Sequence, residues 1–292
     1  MQIDYAYSLC KEFTIRHYEN FPVGSFLIPA DKRKFIYSIY SFARYSDDIA
    51  DSAEFSEKEK LQKLNELESE LYKIYKKDSD LKNDLIADTE FIFIALSHTV
   101  NELKIPIGEF VKLLNAFRQD SVKQSYSDFS ELLEYSDLSA NPIGHLVLYV
   151  FGYDPVTHKA CFEYSDKICT ALQLTNFWQD VSVDLKMKRV YIPENMMKEN
   201  NYNMEMLFSK TENDDLRNII KLLVDKTHIL FSEGKEITRS VNGRLRYELK
   251  ATIAGGVEIL KKIERINYSV LEQRVKLNKA EKFKLLGKII FN

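Results

Sequence analysis

From residue 157 to 184 the sequence contains neither glycine nor proline, and its apolar residues recur at helical spacing. A helix of that length sets the minimum span of whatever it folds into, and the rest of the chain repeats the pattern. The chain has 9 glycines and 6 prolines in 292 residues, about 3% glycine against the roughly 7% of an average protein. That leaves too little turn material for a β-rich fold. The spacing predicts helices over residues 1–20 (Ile3, Tyr7, Cys10 and Phe13 at helical spacing), from Asp31 as a cap to Ala50, over 56–76 (Leu61, Leu64, Leu67, Leu71 and Ile74 inward) and over 84–102. Further helices are expected from Pro106 through Phe117, over 128–149 with a break at Asn141-Pro142, over 157–184, roughly 204–235 with an interruption, and 246–270. Lys188 to Asn203 reads as a loop. No repeat, low-complexity tract or linker marks a boundary, so the expectation is an all-α fold with one domain over residues 1–292.

Within the long helix, Gln173, Asn176, Asp180 and Asp184 follow one another at steps of three, four and four, which stacks them along one face. Lys186, Lys188, Arg189 and Tyr191 come next. A second acidic helix carries Asp47 and Asp51 one turn apart, with Arg44 and Tyr40 continuing their face. Like charges at this spacing cost a helix roughly a few tenths of a kcal/mol, which a divalent cation would offset. Magnesium takes one or two carboxylates together with substrate phosphates. The spacing alone is weak, because Asp80, Asp84 and Asp88 share it in polar company and read as a solvated face or loop. The pairs at 47/51 and 180/184 lie instead in aromatic, apolar helices, each with an arginine nearby. Together they predict Mg2+ ions holding a diphosphate and stabilising the charge that grows as it departs, with Arg44 and Arg189 on the same oxygens. The carbocation left behind needs a dry pocket with aromatic faces, and 18 Phe and 17 Tyr can line one. Aromatic stripes are more often plain core, so periodicity assigns no single ring that task.

The net charge of −3 gives no reason to expect nucleic acid as a partner. Cys10, Cys161 and Cys169 have no metal-ligand spacing, and the N-terminal residues lack the apolar run of a secretory signal. No apolar run approaches the length of a membrane span. A reduced, cytoplasmic protein is expected.

Asp47-Asp48-x-x-Asp51 after Phe42-Ala43-Arg44, with Gln173-x-x-Asn176-x-x-x-Asp180-x-x-x-Asp184 and Arg189-x-Tyr191-x-Pro193, resembles the squalene/phytoene synthase family over nearly the whole chain. The resemblance implies an isoprenoid-synthase helical bundle around a central cavity, with Mg2+-dependent chemistry on C15 or C20 prenyl diphosphates. By position, it implies that Asp47, Asp51, Asp180 and Asp184 bind metal with Asn176. Gln173, Asn176, Arg44, Arg189 and Tyr191 would surround the diphosphate. Ser25 and Phe26 would help form the pocket, and Tyr135 would face the reacting centre. His17-Tyr-Glu-Asn-Phe-Pro-Val23 and Ser139-Ala-Asn-Pro-Ile-Gly144 look like the bacterial hydroxysqualene synthases of hopanoid pathways. Phytoene and dehydrosqualene synthases usually carry a Gly-rich second segment, tend to have arginine where Gln179 stands, and a tyrosine near Gly255-Gly256.

That branch implies conversion of presqualene diphosphate and water to hydroxysqualene and diphosphate, alongside partner enzymes of the squalene/hopanoid pathway. It needs no NADPH, and the sequence has no glycine-rich dinucleotide loop. The alternative within the family condenses two farnesyl diphosphates head to head, to presqualene diphosphate, squalene or dehydrosqualene. A reading of another class is a non-catalytic helical scaffold with incidental acidic faces. Asn141, beside the helix break, either positions the capturing water or satisfies backbone groups freed by Pro142. His17 reads as a structural hydrogen-bonder, with a catalytic role as the alternative. Arg274 to Lys288, basic and interleaved with Leu277, Phe283, Leu285 and Leu286, either contacts an anionic membrane peripherally, at its inner face, or packs as a last helix.

Overall fold

The structure, a computed structural model, describes residues 1–17, 28–76 and 89–291. Among these residues there are fourteen α-helices and no strand. In chain order they are α1 (Ile3–Arg16), α2 (Ala30–Asp51), α3 (Glu57–Lys76), α4 (Glu90–Leu103), α5 (Ile107–Val122), α6 (Phe129–Ser139) and α7 (Asn141–Val150). There follow α8 (Lys159–Asp184), α9 (Glu194–Glu199), α10 (Met204–Phe208), α11 (Asp214–Gly234), α12 (Ile237–Ser240), α13 (Gly243–Arg265) and α14 (Lys279–Phe291). No helix among the described residues is long and apolar enough to cross a membrane. The chain divides into two compact units, Met1–Val122 with Pro142–His158, and Lys123–Asn141 with Lys159–Asn292.

In the first unit, the strongly charged α3 stays put because Leu64, Leu67, Leu71 and Ile74 recur on one face and are all buried. Phe42 of α2 meets Phe93 and Phe110 edge-on, at centroid distances of 6.1 and 5.4 Å. The Tyr7 hydroxyl and the Ser38 hydroxyl both reach Thr99 Oγ1, at 2.9 and 2.7 Å, which ties α1, α2 and α4 together. One expectation is corrected here. Asp31 is not the cap of α2: the helix starts at Ala30 after Pro29, and Asp31 faces the positive end of the dipole from within the first turn. His17 Nδ1 donates to Phe13 O at 3.0 Å, as the structural reading expects.

The second unit is organised by α8. Trp178 is fully buried and donates Nε1 to Thr227 Oγ1 of α11 at 2.9 Å. At Gly256 of α13 an added Cβ would stand 2.5 Å from the tip of the Phe231 ring and 3.0 Å from Leu172, so α8, α11 and α13 pack closely enough that any larger residue must displace these side chains. Asp128 caps α6 by accepting Glu131 N at 3.0 Å. The predicted break falls between Ser139 and Asn141, with Pro142 in the first turn of α7, where its missing N–H is one of the orphans anyway. Asn203 and Asn213 cap α10 and α11, which accounts for the interruption expected in residues 204–235. The stretch read as a loop from Lys188 to Asn203 contains α9, entered through Pro193.

Candidate active site

The first acidic face lies on α2. Arg44 reaches along it, with Nη1 3.3 Å from Asp47 Oδ2 and Nη2 2.7 Å from Asp48 Oδ1. Arg44 Nε is buried with no hydrogen-bond partner among the described residues, a donor that an anion would satisfy. Although 36% of the Asp47 side chain is open to solvent, the carboxyl is pushed up to about 7. Burial is the main cause and the Asp51 charge the next. Asp48 and Asp120 add to it, and Arg44 opposes it. Asp120 belongs to α5, and nothing in the linear pattern announces it. Ser25 and Phe26, expected in the pocket, lie outside the described residues.

The second acidic face lies on α8. Gln173, Asp180 and Asp184 are half-buried and Asn176 is exposed, opposite the buried Leu174 and Trp178. Asp180 is gripped through both oxygens by Arg274, whose Nε meets Oδ1 while Nη2 lies 2.8 Å from Oδ2. Arg274 was expected to open a basic tail aimed at a membrane or packed as helix. Instead it turns back onto α8, because the segment after α13 runs past that face. Beyond Asp184 a 3-10 turn, Leu185–Met187, ends at Lys188, whose φ of 59° reverses the chain and lets Arg189 N bond Asp184 O at 3.0 Å. The reversed chain pairs with residues 124–127: Val190 N to Gln124 O (2.8 Å), Glu194 N to Tyr126 O (3.0 Å) and Asn195 N to Ser127 O (3.0 Å).

That pairing assembles an aromatic group. Tyr191 stacks on Phe177 of α8, with centroids 3.8 Å apart and planes 8° from parallel, and on Tyr126 at 5.5 Å. Tyr135 of α6, 4% exposed, touches the same three rings at 5.5 to 6.2 Å. Tyr126 and Phe177 were missed by sequence reasoning, since periodicity cannot tell them from core. Asn141 is 6% exposed; it accepts from Thr170 Oγ1 at 3.0 Å and donates to Asp137 Oδ1 at 3.4 Å. These partners are side chains, not the backbone groups freed by Pro142.

No three His, Cys, Asp or Glu side chains among the described residues converge into a ready-made metal cage. The donors are hard oxygens all the same, Asp47 sits in a surplus of negative charge, and Arg44 Nε lacks an acceptor. These residues fit a hard divalent cation that completes its shell with water and phosphate.

The family model described as squalene/phytoene synthase matches residues 15–281. A hydroxysqualene synthase of Sinorhizobium fredii is 32% identical over 87% of this chain and 85% of its own length. The 15-cis-phytoene synthase of Synechococcus elongatus is 26% identical over 92% of this chain and 87% of its own. Among solved structures, squalene synthase HpnC from Alicyclobacillus acidocaldarius is 32% identical with a TM-score of 0.82, covering 91% of this chain and 95% of its own.

Proposed function

Because the chain belongs to the squalene/phytoene synthase family, we propose that it converts presqualene diphosphate and water to hydroxysqualene and diphosphate, with Mg2+ as the metal. The observation that carries the choice of reaction is the likeness to hydroxysqualene synthases, at 32% identity against 26% for the phytoene synthase. A single family match drawing on residues of both units supports reading them as one working domain.

In this reading Asp47, Asp51, Asp180 and Asp184, with Asn176, are the metal donors. Gln173, Arg44, Arg189 and Tyr191 hold diphosphate oxygens, and the unpartnered Arg44 Nε is the donor best explained by that task. Ser25 and Phe26 keep their assignment to the pocket. Bound Mg2+ supplies neutralisation of the diphosphate and Lewis-acid help to its departure. The substrate's C–O bond breaks with its electrons leaving on the diphosphate, and Tyr135 with its stacked neighbours presents ring faces to the cation. Asn141, which has hydrogen-bonding capacity beyond its two partners, holds the water. That water's oxygen forms the new C–O bond, and its proton passes to a departing diphosphate oxygen. A lipid-soluble product suits peripheral contact with a membrane, for which α14 is the proposed element.

The likeness to a squalene synthase, also at 32% identity, favours a second reading in which two farnesyl diphosphates are condensed. Diphosphate release separates the readings. Release from presqualene diphosphate should require Mg2+, stop with EDTA, and fall at least about a hundredfold in Asp180→Ala. Release from farnesyl diphosphate alone supports the second reading, and release from neither leaves a scaffold.

A further inference from the structure

Asp180 already has a cation. The guanidinium of Arg274 lies in a fork on both carboxylate oxygens, and the two side chains are 30% and 23% exposed. Arg274 is held there by its backbone. The residue preceding Asp180 on α8, Gln179, donates Nε2 to Val275 O at 2.6 Å, so two neighbours on the helix grip two neighbours on the strap between α13 and α14. Further along, Lys262 of α13 donates to Lys276 O and to Glu281 Oε2, both at 2.7 Å. Glu281 also accepts Asn278 N at 2.8 Å. The strap is therefore pinned just after Arg274, which limits the positions the guanidinium can take.

A carboxylate engaged by a guanidinium fork has one in-plane lone pair on each oxygen committed, which leaves a metal only the outer pair on each. A metal ion approaching either oxygen would meet a fixed positive charge within hydrogen-bonding distance of the same atom. The two cations cannot share Asp180 without mutual repulsion. The acidic face of α2 differs: Arg44 is spread over Asp47 and Asp48, and Asp47 remains in negative surplus.

We propose that Arg274 is the resident counter-cation of Asp180, so that metal loading on the α8 face is an exchange in which Arg274 must leave this carboxylate. Arg274 thereby sets the metal affinity of Asp180 and balances the charge of a half-buried carboxylate until metal and diphosphate arrive together. This rests on the reading of Asp180 as a metal ligand.

The test uses the full chain without substrate and Mn2+ alone as the probe, with free ion counted by electron paramagnetic resonance. Arg274→Met should bind Mn2+ about tenfold more tightly than the wild type, with Arg274→Lys between them. Adding Asp180→Asn should cancel the gain. If Asp180→Asn weakens binding but Arg274→Met binds no better than the wild type, the exchange is overturned and the metal reading stands. If Asp180→Asn changes nothing in either background, the metal reading fails and takes the exchange with it. A second measurement follows the wild-type protein labelled with 15N-arginine. Saturating Mg2+ should move or erase the protected Arg274 Nε–H signal, assigned by its loss in Arg274→Lys; an unchanged signal overturns the proposal.

Discussion

At Asp47, burial and three neighbouring carboxylates, Asp51, Asp48 and Asp120, outweigh the single arginine beside them. The carboxyl titrates at about 7 in the folded protein, against 3.8 for an unperturbed aspartate. Between those values the folded chain holds a proton that the unfolded chain has lost, so stability falls as pH rises through this window, and the loss is complete above it. In EDTA the protein should therefore melt at a higher temperature at pH 5 than at pH 8. The difference should shrink in Asp47→Asn and on adding Mg2+. A pH dependence that Asp47→Asn leaves intact would show that another group causes it. Asp47 and Asp51 were legible in the sequence because helical spacing alone puts them on one face. Asp120 and Arg274 were not, since each reaches the acidic faces through tertiary packing from a distant segment. Arg274 was grouped with the lysines of the tail because composition records charge and not direction.

Among the elements, α8 was the most legible, because its polar face and its buried face are both written at helical spacing over an unbroken run. Where the reading slipped, the cause was local chemistry. Pro29 moved the start of α2 ahead of Asp31, and Pro193 opened α9 inside a stretch that looked like loop. The aromatic group depends on the pairing of residues 124–127 with 190–195, whose backbone hydrogen bonds join segments distant in sequence and leave no periodic pattern to read. In α14, Lys279, Lys282 and Lys284 are exposed, while Glu281 ties the helix to α13 through Lys262. A helix so tethered can still present its lysines to anionic lipid. Truncation before Lys279, with folding verified by circular dichroism, should lower co-sedimentation with phosphatidylglycerol vesicles severalfold; equal binding by both forms would remove the membrane role.

At the scale of the molecule, each unit is built from two separate stretches of chain, and each carries one of the acidic faces. The all-α class followed from the scarcity of glycine and proline, whereas the division into units left no mark on composition because no linker separates them. The central claim is that water captures the cation left when diphosphate departs from presqualene diphosphate. Product mass after incubation with Mg2+ in 18O-labelled water tests it most directly. The account predicts hydroxysqualene heavier by the isotope difference, with unlabelled diphosphate. An unlabelled hydrocarbon, or label found only in the diphosphate, would contradict it.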